Sequence, residues 1–416
     1  MTLLDDYLAR TPRSRDLFDR ATASMPGGST RTTVYTAPYP PYIAEGRGLT
    51  IRDVDGNLYR DFLGNYTALI LGHAHPKVVE AVEAQVRRGS AFAAPTATEI
   101  ELAEEIRWRL PSMERLRFTN SGTEATMFAI RVARAFTGRP LIATFERAYH
   151  GTHDGVVSGP GVPDAIRALT LELPWGDADG VERALRGRER DVAAILIEPV
   201  QGAGGVRAAD PAFLAFLRDY TTRIGALLIF DEVISFRVGH GGAQGLAGVK
   251  PDLTTLGKII GGGYALAAFG GREDVMALFD QRRSGALTHG GTYNGNPVAA
   301  VAGLATLREL TPGAFAQLAT LGDRLRSAVA GSGARVVVEG SLFQVWADAA
   351  ASAVATGVKE APGLFLGLLL EGFYVAPRGM GAIPVVATET DVDELASAIG
   401  RVLGRIQAAP ERAAAR

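Results

Sequence analysis

The amino-acid sequence predicts an α/β protein with a large domain built on a mostly parallel central sheet flanked by helices. Between residues 116 and 256, short apolar stretches alternate with stretches of helical periodicity. Apolar runs with almost no polar positions are typical of parallel strands that helices cover on both faces. The chain has 416 residues, which is more than one ordinary core accommodates, so a second and smaller domain is expected.

Charge and composition argue against several classes of partner. The formal net charge is −2 and no basic block stands out, so neither nucleic acid nor an anionic membrane is an expected partner. The chain contains no cysteine, which excludes disulfides and thiolate metal sites and fits a reducing compartment. We see no secretion signal and no run long enough to span a membrane. We therefore expect a cytoplasmic protein.

The first segment of the chain is predicted to be a helix over residues 1–24, because its apolar residues recur at helical spacing. The sequence Pro26-Gly27-Gly28 then ends the helix, and Arg31 follows this turn. A guanidinium on a rigid bend is suited to bind a carboxylate. A solvated loop arginine explains the same residue equally well.

A hairpin and a loop come next. Polar and apolar residues alternate around Asp55-Gly56, which is a hairpin signal. The following loop contains Tyr66, which could line an aromatic pocket or pack internally. It also contains His73 and His75, whose spacing resembles that of metal ligands. No third ligand is near them, so we favour a loop role and predict no metal site.

Five residues of chemical interest follow predicted strands of the parallel sheet. They are Ser121, Tyr149, Glu198, Asp231 and Lys258. Ligands of open α/β sheets bind at the carboxyl ends of the strands, so we expect all five residues at one rim of the sheet.

The segment Ser121-Gly122-Thr123 stands between a strand and a helix. Backbone N–H groups and two hydroxyls at the start of a helix form a cradle for phosphate. Ordinary N-capping by Ser121 or Thr123 would also account for these residues without a ligand.

Lys258 lies between an apolar strand and the three glycines of residues 261–263. A buried amine loses its hydration, so its pKa falls and it becomes a nucleophile that can form a Schiff base with an aldehyde. The alternative is a surface lysine that precedes a flexible loop, since lysine beside glycine is a weak motif.

An aldehyde-bearing pyridine phosphate would explain these residues together. Lys258 would bind the aldehyde, and Asp231 would pair with the protonated ring nitrogen, which makes the ring an electron sink. Tyr149 would cover one face of the ring, and Val233 would pack on the other. Each residue also has a purely structural explanation, but the joint pattern indicates pyridoxal 5′-phosphate (PLP).

The same motifs resemble those of a known family. They are Ser-Gly-Thr-Glu-Ala at 121–125, Tyr-His-Gly at 149–151, Glu-Pro-Val at 198–200, Asp-Glu-Val at 231–233 and Leu-Thr-Thr-Leu-Gly-Lys-Ile-Ile-Gly-Gly-Gly at 253–263. The chain resembles class III aminotransferases of fold type I. Within that group it is similar to the β-phenylalanine and other β-amino acid aminotransferases and to the glutamate-1-semialdehyde aminomutases.

The resemblance implies a role for each matching position. Lys258 and Asp231 would be catalytic, with Lys258 also carrying the transferred proton, and Glu198 would lie near the ring hydroxyl. The expected cofactor-binding residues are Ser121, Gly122, Thr123, Tyr149, His150, Glu198, Asp231, Val233, Lys258 and Thr292. Thr292 lies in a segment that resembles the one reaching the phosphate of the neighbouring subunit, which implies a homodimer with active sites at the subunit interface.

The resemblance also implies the domain organisation. Residues 1–56 would form an N-terminal segment that packs with the small domain. Residues 57–310 would form the large PLP-binding domain, and residues 311–416 the C-terminal small domain.

Three residues are predicted to bind the substrate: Arg31, Tyr66 and Arg378. Aminomutases of the family usually carry a small polar residue where this chain has Arg378, and the loop at Tyr66 looks more like that of the transaminases. Two arginines would let an enzyme bind the carboxylates of a β-amino acid and of a 2-oxo acid at different places. The sequence therefore favours a β-amino acid:2-oxo acid aminotransferase, with an aromatic donor such as β-phenylalanine and an acceptor such as 2-oxoglutarate or pyruvate. Glutamate-1-semialdehyde 2,1-aminomutase is the alternative.

Overall fold

A computed structural model describes residues 2–330, 334–356 and 362–408. The chain divides into two compact units. Unit A contains the residues up to His75 and those from Ala316 onward, and unit B consists of Pro76–Phe315. The domain boundaries predicted from the sequence, at 56/57 and 310/311, stay a prediction.

Unit B is built on a seven-stranded sheet. In spatial order its strands are Arg115–Thr119, Ala267–Gly271, Leu253–Leu256, Leu227–Asp231, Val192–Ile197, Leu141–Phe145 and Thr170–Leu173. The five strands from Leu253–Leu256 to Thr170–Leu173 in this order run parallel to their neighbours among them. The strand Ala267–Gly271 is antiparallel to both of its neighbours. The predicted α/β class with a mostly parallel sheet is confirmed. The antiparallel strand was not predicted.

Helices cover the sheet of unit B on both faces. Its helices are Pro76–Arg88, Ala97–Arg109, Gly122–Thr137, Asp164–Arg167, Ala178–Leu185, Pro211–Ile224, Gly242–Ala247, Glu273–Met276 and Pro297–Glu309. Alternate residues of the central strand Val192–Ile197 belong to different cores: Ala194 and Leu196 pack with the helix Gly122–Thr137, whereas Ile195 and Ile197 pack with Pro211–Ile224. Burial of both strand faces explains why this stretch of the sequence is continuously apolar.

Unit A contains two smaller sheets. One has the strand order Ile43–Arg47, Thr50–Asp53, Leu58–Asp61 and Phe373–Tyr374, and the other Arg335–Glu339, Leu342–Trp346 and Met380–Ala382. Its helices are Leu3–Arg10, Pro12–Thr22, Gly64–Thr67, most of Pro312–Ala330, Ala349–Thr356, Gly363–Leu370 and Glu389–Gln407.

The hairpin around Asp55-Gly56 forms as the sequence predicts, with strands Thr50–Asp53 and Leu58–Asp61. The single helix predicted over residues 1–24 is wrong. Two helices, Leu3–Arg10 and Pro12–Thr22, replace it. Pro12 has no N–H for a continuing helix but fits the first position of a new one, so the break falls at Thr11.

Two further features of the described residues bear on membrane insertion and on metal binding. None of their helices combines the length and apolar character that a bilayer crossing requires. They also contain no group of three or more histidine, aspartate or glutamate side chains arranged to hold a metal ion. His73 instead hydrogen-bonds the Asp61 carboxylate at 2.6 Å.

Candidate active site

A cavity of about 240 Å³ opens in unit B at the carboxyl ends of the central strands. It is lined by Asn120, Ser121, Gly122, Thr123, Tyr149, His150, Gly151, Glu198, Asp231, Val233, Ile234, Lys258, Tyr264, Ala265 and Leu266. Nine of the ten residues predicted to bind the cofactor are in this lining, and Thr292 is not. Sequence reasoning missed Asn120, Ile234 and the 264–266 segment, because no charge or motif distinguishes them.

Lys258 stands just beyond the strand Leu253–Leu256, on a short helical turn that begins at Lys258 itself. Its backbone has φ of 52°, in the left-handed region that costs a residue with a Cβ about 1–2 kcal/mol. Burial lowers the pKa of the Lys258 amine, and the charges of Asp231 and Glu198 oppose the shift. The fold therefore holds a strained lysine whose amine is more easily neutral than an ordinary one.

Asp231 ends the central strand Leu227–Asp231, and its carboxylate is 4% exposed. Three donors fix it: the His150 Nδ1–H at 2.8 Å on Oδ2, and on Oδ1 the Val233 N–H and the Thr255 hydroxyl, both at 3.1 Å. Burial disfavours the charged form of His150, but the hydrogen bond to Asp231 and the charges of Asp231 and Glu198 outweigh it, so the pKa of His150 is raised. The pair is thus a buried carboxylate held by an imidazole.

Glu198 directly follows the strand Val192–Ile197 and is also buried. Its two carboxylate oxygens accept hydrogen bonds from the backbone N–H groups of Tyr149, at 2.9 Å, and Gly202, at 3.3 Å. Burial raises the pKa of Glu198 to about 7, although the neighbouring His150 opposes the shift. Glu198 therefore connects the segment that carries Tyr149 and His150 to the end of a central strand.

The predicted phosphate cradle begins the helix Gly122–Thr137. The Ser121 hydroxyl caps this helix by accepting the Glu124 N–H at 3.2 Å, and the Thr123 hydroxyl accepts the Thr152 N–H at 3.3 Å. The capping explanation for Ser121 is therefore correct, and it does not exclude phosphate binding. A Cβ at Gly122 would lie 3.1 Å from both methyl groups of Val233, so glycine here lets the chain pass close to the Val233 side of the cavity.

The three residues predicted to bind substrate all belong to unit A. Arg31 donates from Nη1 to the Asn65 Oδ1 at 2.9 Å, and the Tyr66 hydroxyl donates to the Thr33 carbonyl. Burial raises the pKa of the Tyr66 phenol, and the charges of Arg378 and Arg31 both act to lower it. Both guanidinium groups therefore lie within electrostatic range of the same phenol.

Tyr66 is held in an unusual backbone conformation. Gly64, Asn65, Tyr66 and Thr67 all have positive φ, between 51° and 78°, and form one left-handed turn. Asp61 anchors the start of the turn by accepting the N–H groups of Leu63, at 2.8 Å, and Gly64, at 2.9 Å. A bulky residue at positive φ is rare, so sequence reasoning, which treated this segment as an ordinary loop, missed the turn.

Thr292 lies in an exposed segment of unit B. Thr292 and Tyr293 are both exposed, Tyr293 by 60%, whereas Asn294 is partly buried. The Asn294 Oδ1 accepts a hydrogen bond from the Asn120 Nδ2 at 2.9 Å, and Asn120 lines the cavity. The segment is therefore joined to the cavity wall at Asn294, with Thr292 and Tyr293 directed away from the protein core.

The cavity suits an anionic aromatic aldehyde such as PLP. His150 Nε2 is buried without a partner among the described residues, although the other ring nitrogen is bonded. Lys258 provides an amine with a lowered pKa, and Asp231 provides a fixed carboxylate. The helix start at Gly122 adds backbone N–H groups for an anion. These features together define the site of a PLP-dependent enzyme of fold type I.

Comparison with known proteins identifies the family. The model of the class III aminotransferases matches residues 34–174 and 177–337, which is more than half of the chain. The chain belongs to the class III aminotransferase family, and its cofactor is PLP. The fold, the enzyme class and the cofactor predicted from the sequence are thereby confirmed.

Similar proteins include enzymes of both predicted types. A glutamate-1-semialdehyde 2,1-aminomutase of Sorangium cellulosum (strain So ce56) is 43% identical over 400 residues, which are 88% of this chain and 90% of that protein. An omega-transaminase from Sphaerobacter thermophilus superposes with a TM-score of 0.91 at 41% identity, with 96% of this chain and 99% of that chain covered. A β-phenylalanine aminotransferase from Variovorax paradoxus gives a TM-score of 0.87 at 37% identity, with coverage of 97% and 96%.

The predicted β-amino acid:2-oxo acid aminotransferase is wrong. Further curated relatives, 38% to 47% identical to this chain, are also named glutamate-1-semialdehyde 2,1-aminomutase. The prediction depended on two carboxylate pockets, one for Arg31 and one for Arg378. In unit A both guanidinium groups act on one phenol, that of Tyr66, so a second arginine does not by itself indicate a second pocket.

Proposed function

We propose that the protein is a glutamate-1-semialdehyde 2,1-aminomutase, which moves the amino group of its substrate from C2 to C1. The names of its curated relatives support this activity. The structural observation that carries the proposal is that the charges of Arg31 and Arg378 both act on the phenol of Tyr66, which lies in the same unit. Glutamate-1-semialdehyde has a single carboxylate, so one carboxylate-binding site is what such a substrate needs.

The reaction needs no second substrate. The amino group leaves C2 and is bound at C1, and the carbonyl oxygen of C1 is replaced by one at C2, so the oxidation states of the two carbons balance. A transaminase, by contrast, must bind and release two different molecules in turn. One carboxylate-binding cluster is therefore sufficient for the isomerisation.

When bound, PLP supplies an electron sink for negative charge on the carbon next to the amino group. The groups that would hold it are Ser121, Gly122, Thr123, Tyr149, His150, Glu198, Asp231, Val233 and Lys258, and Thr292 would reach it from a neighbouring subunit. Three hydrogen bonds keep the Asp231 carboxylate in one orientation. The lowered pKa of Lys258 increases the fraction of its Nζ that is neutral near neutral pH, so that this atom can accept a proton from one carbon and return it to the other.

The test is turnover of a single substrate. Purified holoenzyme is incubated with glutamate-1-semialdehyde and no added amine or 2-oxo acid, and formation of 5-amino-4-oxopentanoate is followed. We expect turnover that the Lys258→Ala variant lacks. Absence of turnover, together with rapid amino transfer from a β-amino acid to a 2-oxo acid, would refute the proposal.

We also propose that the protein is a homodimer in which Thr292 completes the phosphate site of the partner. The exposure of Thr292 and Tyr293, beside an Asn294 that is fixed to the cavity wall, supports this arrangement. Light scattering of wild type and of Tyr293→Asp tests the dimer, and PLP affinity of Thr292→Ala tests the shared site. A monomeric wild type, or an unchanged PLP affinity of Thr292→Ala, would contradict it.

Two further parts of the sequence-based interpretation remain proposals. We propose a cytoplasmic location, which the absence of cysteine supports. We also propose that residues 1–56 and 311–416 form one small domain and residues 57–310 the PLP-binding domain. Residues 1, 331–333, 357–361 and 409–416 lie outside the part of the chain that the structure describes.

A further inference from the structure

We propose that Asn65 is a specificity-determining residue that holds the Arg31 guanidinium in place for the substrate carboxylate. The inference deepens the proposed function, because it rests on Arg31 being the group that binds this carboxylate. Asn65 is a positioning residue in this proposal, since it acts on the substrate through Arg31. The sequence offers no signal for it, because the two residues are 34 positions apart.

The contact between the two side chains is polar but neutral. Arg31 Nη1 donates to Asn65 Oδ1 at 2.9 Å, and this uses one of the several N–H donors of the guanidinium. Within the described ranges, no carboxylate forms an ion pair with Arg31. An amide oxygen therefore restricts the rotation of the guanidinium without neutralising its charge. A carboxylate at the same place would occupy the fork that the substrate needs.

The backbone of Asn65 explains why an amide can reach Arg31 from this position. Asn65 has φ of 51° and belongs to the left-handed turn of residues 64–67. Asparagine, aspartate and glycine tolerate such a conformation better than other residues. The side-chain carboxamide of Asn65 can thus be removed or charged without a change in the backbone preference of the position.

A second tether holds the same segment of chain. The Tyr66 hydroxyl donates to the Thr33 carbonyl, two residues after Arg31. Arg31 is thus fixed at its side chain by Asn65 and through the following backbone by Tyr66. Both tethers come from one turn, and Asp61 anchors that turn at the N–H groups of Leu63 and Gly64. The left-handed turn is therefore the element that determines where the Arg31 guanidinium lies.

The experiment compares two probes of equal length on the holoenzyme. 4-Aminobutyrate has the amino and carboxylate groups of glutamate-1-semialdehyde at the same spacing, and butylamine lacks the carboxylate. Binding of each probe is measured by calorimetry and by the absorbance of the bound cofactor, so that no turnover is required. The proteins are wild type, Asn65→Asp, Asn65→Gly, Arg31→Ala and the double variant Arg31→Ala/Asn65→Asp.

We expect Asn65→Asp to weaken 4-aminobutyrate binding about tenfold or more, because the new carboxylate competes for Arg31. Asn65→Gly, which frees the guanidinium, should weaken it roughly threefold to tenfold. Butylamine binding should stay within about twofold of wild type in both variants. In the double variant, Asn65→Asp should cause no further loss beyond that of Arg31→Ala, since its effect requires the guanidinium.

Other binding results would contradict the role of Asn65, the role of Arg31 or the proposed function. Equal losses for 4-aminobutyrate and butylamine would show that Asn65 is only structural, and so would additive losses in the double variant. If Arg31→Ala left 4-aminobutyrate binding unchanged, both the role of Arg31 and the inference would fall. If these binding results held while the wild type did not isomerise glutamate-1-semialdehyde, the proposed function would fail and the role of Asn65 would stand.

Discussion

The His150 Nδ1–H donates to the Asp231 Oδ2 at 2.8 Å, and both side chains are at most 4% exposed. The hydrogen bond joins the Tyr-His-Gly segment to the end of the central strand Leu227–Asp231. The second ring nitrogen of His150 has no partner among the described residues. One imidazole therefore orients the carboxylate that is expected to face the ring nitrogen of PLP.

Replacement of His150 should weaken cofactor binding, and it should do so more strongly when the new side chain has no N–H to donate to Asp231. His150→Leu removes the N–H, so the buried Asp231 carboxylate has one hydrogen-bond donor fewer. We expect this loss to weaken PLP binding by about 1–3 kcal/mol. His150→Asn can present an N–H close to the position of Nδ1 and should lose less. Titration of the cofactor-free variants with PLP, followed by absorbance, measures both. Equal affinities of the two variants would show that the hydrogen bond does not matter for PLP.

Lys258→Ala should lower the rate of isomerisation by a factor of about a thousand or more, because the variant lacks the amine that we propose moves the proton. It should also lose the near-visible absorbance of a cofactor attached to the protein. Lys250, which pairs with Glu114 at 3.2 Å on the surface of unit B, provides the matched control. Lys250→Ala should keep both the activity and the absorbance. Retention of the absorbance by Lys258→Ala would place the attachment elsewhere.

Glu198 should make the stability of the cofactor-free protein depend on pH. Burial raises the pKa of Glu198 from an ordinary 4.5 to about 7, so the native state binds more protons than the unfolded state between these values. The contribution of Glu198 to stability therefore falls as the pH rises from about 4.5 to about 7.

Glu198→Gln cannot ionise and should remove this loss. Relative to wild type, we expect the variant to gain about 1–3 kcal/mol in its free energy of unfolding between about pH 5 and about pH 8. Glutamine keeps only one of the two acceptor oxygens, so the variant also loses some stability at every pH. The pH dependence of its free energy of unfolding is therefore the quantity to compare with wild type. Urea unfolding at the two pH values measures it, with exposed Glu104→Gln as the control. Parallel pH dependence of Glu198→Gln and wild type would contradict the prediction.

Arg378→Ala should raise the KM for glutamate-1-semialdehyde about tenfold, because one of the two cations whose charges act on Tyr66 is lost. Its PLP affinity should stay close to that of wild type. Arg401, which pairs with Glu371 at 2.7 Å, is the control, since Arg401→Ala removes a cation that is already neutralised. A KM that is unchanged in Arg378→Ala would remove this residue from the substrate site.

The sequence could place most of the predicted cofactor-binding residues along one cavity, because several of them follow apolar strands. Glu198, Asp231 and Lys258 each stand at or just beyond the end of a fully buried strand, and such runs are easy to recognise. Strand direction then requires these ends to lie at one edge.

Other features could not be predicted because their cause lies far away in the chain. The strand Ala267–Gly271 ends in two glycines, which read as a loop, yet its place between two other strands makes it regular structure. The contact of Arg31 with Asn65 depends on a left-handed turn that the residues Asn-Tyr-Thr do not indicate. The error about substrate has the same origin, because the positions of Arg31 and Arg378 relative to Tyr66 are not visible in the sequence.

The two glycines of that antiparallel strand have a consequence for mutational studies. A Cβ at Gly270 would lie 2.4 Å from the Arg115 carbonyl oxygen, and one at Gly271 would lie 2.0 Å from that of Asp252. Even alanine would therefore force neighbouring strands apart, and one of those strands leads directly to Lys258. In a saturation library, Gly270 and Gly271 should be as intolerant as Lys258 although neither lines the cavity, so intolerance to substitution alone would misplace the active site.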